Sequence, residues 1–461
     1  MLSVSKNLRL VGTGSAQYTN TVGVGSETVA QGYTYTQNAS LRMGDASGVQ
    51  TDHDNVMIYI SGGTTLEIEN VFLNGNNNCE NVVYTEGTDS KISLQNCTVG
   101  YGNDNGILLN PGQAEINGSL VFNNGEYAGD GTALYRFENG SAVLSGNVRS
   151  QGLGGGGLTC AAGSHVQAAA SSFVWNKTSG FDIPEADSSA SAENCFFWGN
   201  GWTGANVRSN SVMTLTGCQV ENNGYNTANL LTTDGDTASN TFPGLDVQGA
   251  GTMKISHCGI LNNAGNGVQC YPDSKTYLYG WNHIYANGIN GVYTQGQLWI
   301  GKAADSANGD ETTAVYNNAA DGVHTDGGTV QGDHLNCYGN SYSGISAMKN
   351  ESLDQTATLE LTAPVTSHEN GHSGLYLKGG TKATVSGGSF TENGAEHAEI
   401  YAGSGTDTTL KDGVEVKTSA DKTLQNSGLR IAVMLDGVDV FRTDSTLQIP
   451  GGDSIPLKQD A

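Results

Sequence analysis

One line of sequence is written four times between Cys195 and Tyr293: CFFWGNGWTGANV (195–207), CQVENNGYNTANL (218–230), CGILNNAGNGVQC (258–270) and HIYANGINGVY (283–293). Each copy has a small or apolar start, alternating apolar residues, an Asn, three residues, usually a Gly, and a second alternating pair. The Asn recurs at Asn176, Asn200, Asn223, Asn263, Asn287, Asn318, Asn340, Asn370 and Asn393. The steps are 24, 23, 40, 24, 31, 22, 30 and 23 residues. The base step is therefore 22–24, interrupted by three insertions of roughly 17, 8 and 7 residues.

Alternation with period two on both sides of the Asn predicts strands. No stretch carries the i, i+3, i+4, i+7 stripe of an amphipathic helix. One unit of short strands buries no face alone, but stacked units do, each strand pairing in parallel with its counterpart one coil on. A column of Asn then bonds side chain to side chain at each bend. The Gly four residues later is expected to supply a positive φ. The predicted fold is all-β: a right-handed, single-stranded parallel β-helix, a solenoid of 22–24-residue coils with less regular terminal caps. Its hand follows from the crossover rule for parallel strands.

The expected organisation is an N-terminal cap with first strands over 1–60, the β-helix over 61–431 and a C-terminal cap over 432–461. The last cap reads as a hairpin turning on Asp436-Gly437. Cys195, Cys218 and Cys258 share one place in their coils. They are expected as a stack of small buried residues rather than a redox pair. Phe197, Val220, Ile260 and Ile284 form the next inward column.

Composition narrows the partners. Acids outnumber bases 45 to 20, for a net charge of −25. Such a chain repels phosphate backbones, so neither nucleic acid nor an anionic membrane surface is expected as a partner. No apolar run reaches the ~18 residues of a spanning helix. The opening MLSVSKNLRLVGTGS lacks the apolar run and cleavage site of a signal peptide. High Gly with few charges fits an extracellular or cell-surface protein. There is no CxxC pair, so zinc is unsupported.

Outward positions on the strand after the bend carry the candidate chemistry. Read down successive coils, the first position gives Asp182, Asn206, Asp246, Gln269, Tyr293, His324, Ser346, Tyr376 and Glu399, then Arg430. The second gives Pro184, Arg208, Gln248, Tyr271, Gln295, Asp326, Met348, Lys378 and Tyr401. Asn206, Arg208, Gln269, Tyr271, Tyr293, Tyr376, Lys378 and Glu399 are the expected substrate-binding residues. The bland alternative is a polar solvent face with aromatics stacked for stability. Asp182, Asp246, His324 and Asp326 are the candidate acids and bases. Asp182 and Asp246, two coils apart at ~4.8 Å per coil, stand near the upper limit for a carboxylate pair across a glycosidic bond. His324 and Asp326 point the same way roughly 7 Å apart on one strand.

The first insertion, NLLTTDGDTASNTFP (229–243), leaves beside this face. Its Asp234 and Asp236 offer oxygen ligands to Ca²⁺, though a solvated turn explains them as well. No other cofactor is expected. His283, His368 and His397 are expected at or near bends as turn residues, and His372 lies inside one.

The coil repeat over about residues 60–430 resembles the right-handed parallel β-helix repeat proteins, which include pectate lyases, polygalacturonases, phage tailspikes and surface adhesins. The polygalacturonase-like set of N-T-D, paired D-D, G-H-G and R-x-K is missing. Three functions remain open. The first is a secreted or surface-attached protein that binds a polysaccharide or a host or cell-surface partner along the outward face. The second is a hydrolase or lyase using the same face. The third is a structural stalk or adhesin.

Overall fold

A computed structural model describes residues 1–14, 18–22, 33–44, 56–122, 133–138, 141–145, 149–151, 156–225, 241–301, 311–394, 397–403, 405–411, 414–417, 433–435, 446–448 and 454–456. Among them every regular element is a strand. The chain divides into two compact units, Met1–Phe242 and Pro243–Ala461.

The coils of each unit form three sheets of parallel strands, one strand of each coil per sheet, and each unit also carries one antiparallel pair, Tyr18–Val22 with Tyr33–Gln37 in the first and Thr446–Gln448 with Ser454–Pro456 in the second. In the first unit, Gly156–Ala161, Phe181–Ile183 and Ala205–Val207 are successive rungs of one sheet, with Thr159, Asp182 and Asn206 in register. Residues as early as Leu2–Val4, Leu8–Val11 and Ala39–Arg42 already pair in parallel with the next coil. In the second unit the corresponding sheet aligns Asp246, Gln269 and Tyr293, and then His324, Ser346, Tyr376 and Tyr401. The inward file beside it is Leu245, Val268, Val292, Val323, Ile345, Leu375 and Ile400, all fully buried. This is the alternation read from the sequence: one side chain in, the next out.

The Asn column forms hydrogen-bonded ladders. In the second unit Asn263, Asn287, Asn318, Asn340 and Asn370 each donate both the backbone N–H and Nδ2 to the Oδ1 of the next ladder Asn, at 2.8–3.2 Å. Nδ2 also donates to a backbone carbonyl, as from Asn340 to Val315 at 3.0 Å. The first unit runs the same way from Asn176 through Asn200 to Asn223. A ladder of this polarity needs an acceptor at its far end. Glu399 supplies it: fully buried, its Oε2 takes the N–H and Nδ2 of Asn393 at 3.0 and 2.6 Å. A carboxylate accepts without donating, which suits a terminus that has only donors to satisfy.

That role corrects two expectations. Glu399 is not on the outward file; Tyr401 stands opposite Tyr376 there. The register slips because the bend after Asn393 is longer, and a shift of two residues keeps the alternation and so hides in the sequence. The positive φ of the bend also lies elsewhere. It belongs to the residue before the ladder Asn, as at Asn222, Asn262, Asn317, Gly339 and Glu369. The Gly four residues after the Asn is needed for space. A Cβ on Gly322 would stand 2.5 Å from the Gly344 carbonyl oxygen and 2.8 Å from Asn340 Nδ2. The ladder amide of the next coil fills the place of a side chain.

All eight cysteines are buried free thiols. Burial pushes Cys79 and Cys160 up to about 12 and Cys97 up to about 11, so these thiols are not primed as nucleophiles at neutral pH. Cys195, Cys218 and Cys258 occupy the small buried places expected of them. Val433–Leu435 pairs in parallel with Ile400–Ala402, so these residues continue the sheet. The Asp436-Gly437 turn and Arg430 lie outside the described residues.

Replacing Asn318 by Ala leaves the two donors of Asn287 buried without their acceptor, and a loss of about 1–3 kcal/mol per orphaned group is expected in chemical denaturation. Asn317→Gly, one residue earlier, exposed and at a positive φ that Gly339 holds one coil on, should lose less; equal losses at both positions would contradict a ladder whose buried donors need their acceptors.

Candidate functional site

In the first unit the outward file ends in a compact polar group. Asp182 Oδ2 pairs with Arg208 at 3.0 Å, and Asp182 Oδ1 accepts from Asn206 Nδ2 at 3.0 Å. Burial raises the Asp182 carboxyl above its ordinary range, and the Arg208 charge opposes the shift. An acid held by its own arginine in this way reads first as a structural pair. Asp182 and Asp246 fall in different units, each with its own surroundings.

The second unit brings together most of the other candidates. Asp246 is 5% exposed and takes a hydrogen bond from Gln248 Nε2. Burial, and after it the Asp246 charge, raises the Tyr271 phenol. Asn266 Nδ2 donates to Gln269 Oε1 at 2.8 Å. Tyr293 stacks on His324, ring centroids 5.5 Å apart and planes 6° from parallel. Tyr376 stacks on Tyr401 at 4.9 Å and meets the edge of His372 at 5.1 Å. Lys378 is exposed beyond Tyr376.

His324 and Asp326 are the best-fixed groups of the file. Asp326 Oδ2 accepts from the Tyr293 hydroxyl at 2.9 Å, Gln295 Nε2 at 3.2 Å and Asn350 Nδ2 at 2.8 Å. Burial, and then this carboxylate, raises the Tyr293 phenol far above its ordinary value. His324 Nδ1 stands 2.9 Å from Asp321 Oδ2 and 2.7 Å from Ser346 Oγ, and Ser346 Oγ donates to the same Asp321 oxygen at 2.7 Å. A carboxylate brings no hydrogen to this triangle, and the serine brings one. With the serine hydrogen on Asp321 Oδ2, an Nδ1–H satisfies the contact from the imidazole to that oxygen, and in the neutral ring this tautomer leaves the lone pair on Nε2. Neither His324 Nε2 nor Asp326 Oδ1 has a partner among the described residues.

Asp321 and Asn350 belong to this candidate site and were missed by the outward-file reading. Asp321 sits just before the bend Gly, in the place held by Asn290 and Asn266 one and two coils earlier. Those residues make a second ladder of opposite polarity: Asn290 donates N–H and Nδ2 to Asn266 Oδ1, both at 3.0 Å, and Asp321 donates its N–H to Asn290 Oδ1 at 3.0 Å. A file read at that position would have shown the change from Asn to Asp. Asn350 comes from the third insertion, whose Asn350 and Gln355 form an antiparallel bridge. Asp234 and Asp236 lie outside the described residues, and among the described ones no cluster of three or more acids, His or Cys suits a metal.

A different aromatic file runs on the third sheet of this unit. Tyr285, Tyr316, Tyr338 and His368 stack at 4.8–5.2 Å with planes within 7°. His283 and His368 are end residues of strands in that sheet, each near a bend. The rings from Tyr285 to His368 cover one another's faces, His283 meets Tyr316 edge-on, and His368 Nδ1 stands 3.3 Å from the exposed Glu369 carboxylate.

Known proteins share this architecture. Residues 136–297 match the family model described as Right handed beta helix region. The fold is a right-handed parallel β-helix. No curated protein matches it. Similar solved structures include the A-module of mannuronan C-5 epimerase AlgE6 from Azotobacter vinelandii, at 12% identity over 80% of this chain and 91% of that one, with a TM-score of 0.43. Pectate lyase Pel9A follows at 11% identity, covering 75% and 67%, with a TM-score of 0.30. A mutant of the periplasmic alginate epimerase AlgG shows 10% identity, covering 89% and 85%, with a TM-score of 0.31. At these values the activities of those enzymes do not transfer to this β-helix protein.

Two titrations check the site. In Asp326→Asn the Tyr293 phenol loses the carboxylate that favours its neutral form, so its pKa moves down toward the ordinary tyrosine value in a tyrosine ¹³C NMR titration. In Arg208→Met the Asp182 carboxyl loses its opposing charge and moves further up. An unchanged Tyr293 or a falling Asp182 would contradict the stated causes.

Proposed function

We propose that this β-helix is a secreted or cell-surface protein that binds a glycan along the outward file of its second unit, between Asp246 and Tyr376. One observation carries the reading: Tyr293, Gln295 and Asn350 converge on Asp326 Oδ2, and Asp321 with Ser346 holds His324, while Asp326 Oδ1 and His324 Nε2 have no partners among the described residues. A solvated sheet face needs polar residues but not polar residues locked in one geometry. Fixed acceptors suit sugar hydroxyls, which donate and accept at closely spaced points. The coil spacing of ~4.8 Å lets one sugar span about two rungs.

Acid–base catalysis on the same glycan is the second reading, favoured by the Asp321–His324 pair. Its Nε2 lone pair is oriented as in a general base. In a hydrolysis it would take the proton of the attacking water while another acid protonates the leaving oxygen.

A glycan array of the intact chain, followed by product analysis, tests both. Binding is expected on at least one glycan class, with Asp326→Ala weakening it by roughly tenfold or more. Product formation abolished by His324→Gln would establish turnover. Absence of any binding would leave the file as the solvated face of a structural stalk and overturn the proposal.

A further inference from the structure

An aromatic ring that recognises a sugar does so with an open face, because the polarised C–H groups of a pyranose pack on the π-cloud. On the outward file the rings of Tyr293 and Tyr376 each have one face covered, and Tyr271, with no ring packed on it among the described residues, is half-buried. Tyr293 lies against His324 and Tyr376 against Tyr401. Tyr342 differs: it is 59% exposed, and no ring packs on it among the described residues. It sits in the bend between Asn340 and Gly344 that leads into the strand Ile345–Met348.

The surroundings of Tyr342 are specific. Its N–H donates to the Ala320 carbonyl at 3.1 Å, so the matching place one coil back holds a methyl group and no ring. One coil on, the matching place is His372, whose ring is engaged with Tyr376 and with His397. The next residue, Ser343, donates its N–H to Asp321 Oδ1 at 2.7 Å. The bend that carries Tyr342 is therefore tied to the carboxylate that orients His324.

We infer that Tyr342 is the stacking platform of this site and takes a pyranose ring of an uncharged glycan. The inference rests on the glycan-binding reading and specifies its ligand. Charge selects the class. The site carries the carboxylates of Asp321 and Asp326, with Asp246 buried on the same file, and of the nearby lysines Lys378 is exposed while Lys349 is paired with Asp354 and Glu351. A polyuronate brings a negative charge on every sugar into that field, within a chain of net charge −25. Uncharged sugars bring hydroxyl groups, which donate to Asp326 Oδ1 and His324 Nε2 while the ring rests on Tyr342.

The test is calorimetric titration of the full chain with two sets of hexasaccharides: uncharged ones (glucan, xylan, mannan and N-acetylglucosamine) and uronate ones (galacturonate and mannuronate). An uncharged hexasaccharide is expected to bind, uronates to bind at least tenfold more weakly, and Tyr342→Ala to weaken the uncharged ligand by roughly tenfold or more. Tyr342→Phe keeps the ring face and should stay within about twofold of wild type. Trp281→Ala removes an exposed ring on the third-sheet side of the coil and should change nothing. Wild-type affinity in Tyr342→Ala, with binding lost in Asp326→Ala, overturns the platform and leaves the glycan site standing. Preference for uronates overturns the ligand class. No binding to either set overturns both. Unchanged far-ultraviolet circular dichroism of each variant shows that the fold is retained.

Discussion

The buried side-chain amide of the ladder Asn is the interaction on which the rest depends. Each one bonds to the same residue in the next coil, backbone and side chain together, at about 3 Å. A net contribution of roughly 0.5–1.5 kcal/mol per hydrogen bond is modest, but an orphaned buried donor costs more than that. Slippage by one residue would strand two donors in every coil and turn each apolar side chain outward. The ladder thus locks register more than it adds stability. Its Gly partner follows from the same geometry, since the amide of the neighbouring coil occupies the volume where a Cβ would stand.

Once register is locked, residues far apart in number become neighbours, and a site can be composed one coil at a time. Tyr293, His324 and Ser346 come from three coils yet meet in one cluster. The second ladder shows how chemistry enters such a scaffold. Asn266 and Asn290 are structural amides; Asp321 in the next coil keeps the backbone bond to Asn290 and gains a carboxylate that holds His324. A carboxylate in a position that holds amides in the preceding coils thus keeps the rung and fixes a histidine beside it. Insertions work similarly: they leave the coil intact and bring an outside side chain, Asn350, onto Asp326.

The coil, the inward columns and nearly the whole outward file were legible in the sequence because alternation and a fixed step translate directly into facing. The failures have physical causes. Glu399 looked outward because bend length after Asn393 is not encoded in the alternation, and only the structure shows the carboxylate buried at the end of the ladder. The recurring Gly of each copy suggested backbone strain, whereas crowding by a neighbouring coil explains it; crowding between coils has no signature within one. Asp321 was overlooked because the file was read after the bend and not within it. Asn350 belongs to an insertion, where the repeat offers no register to read.

The most direct test of glycan recognition at this file is a crystal structure of the full chain with a bound uncharged oligosaccharide. Fixed acceptors at the His324 cluster predict a sugar hydroxyl within hydrogen-bond distance of His324 Nε2 or Asp326 Oδ1. A sugar bound instead along the Tyr285–Tyr316–Tyr338 stack, with the His324 cluster left in solvent, would contradict recognition at the outward file.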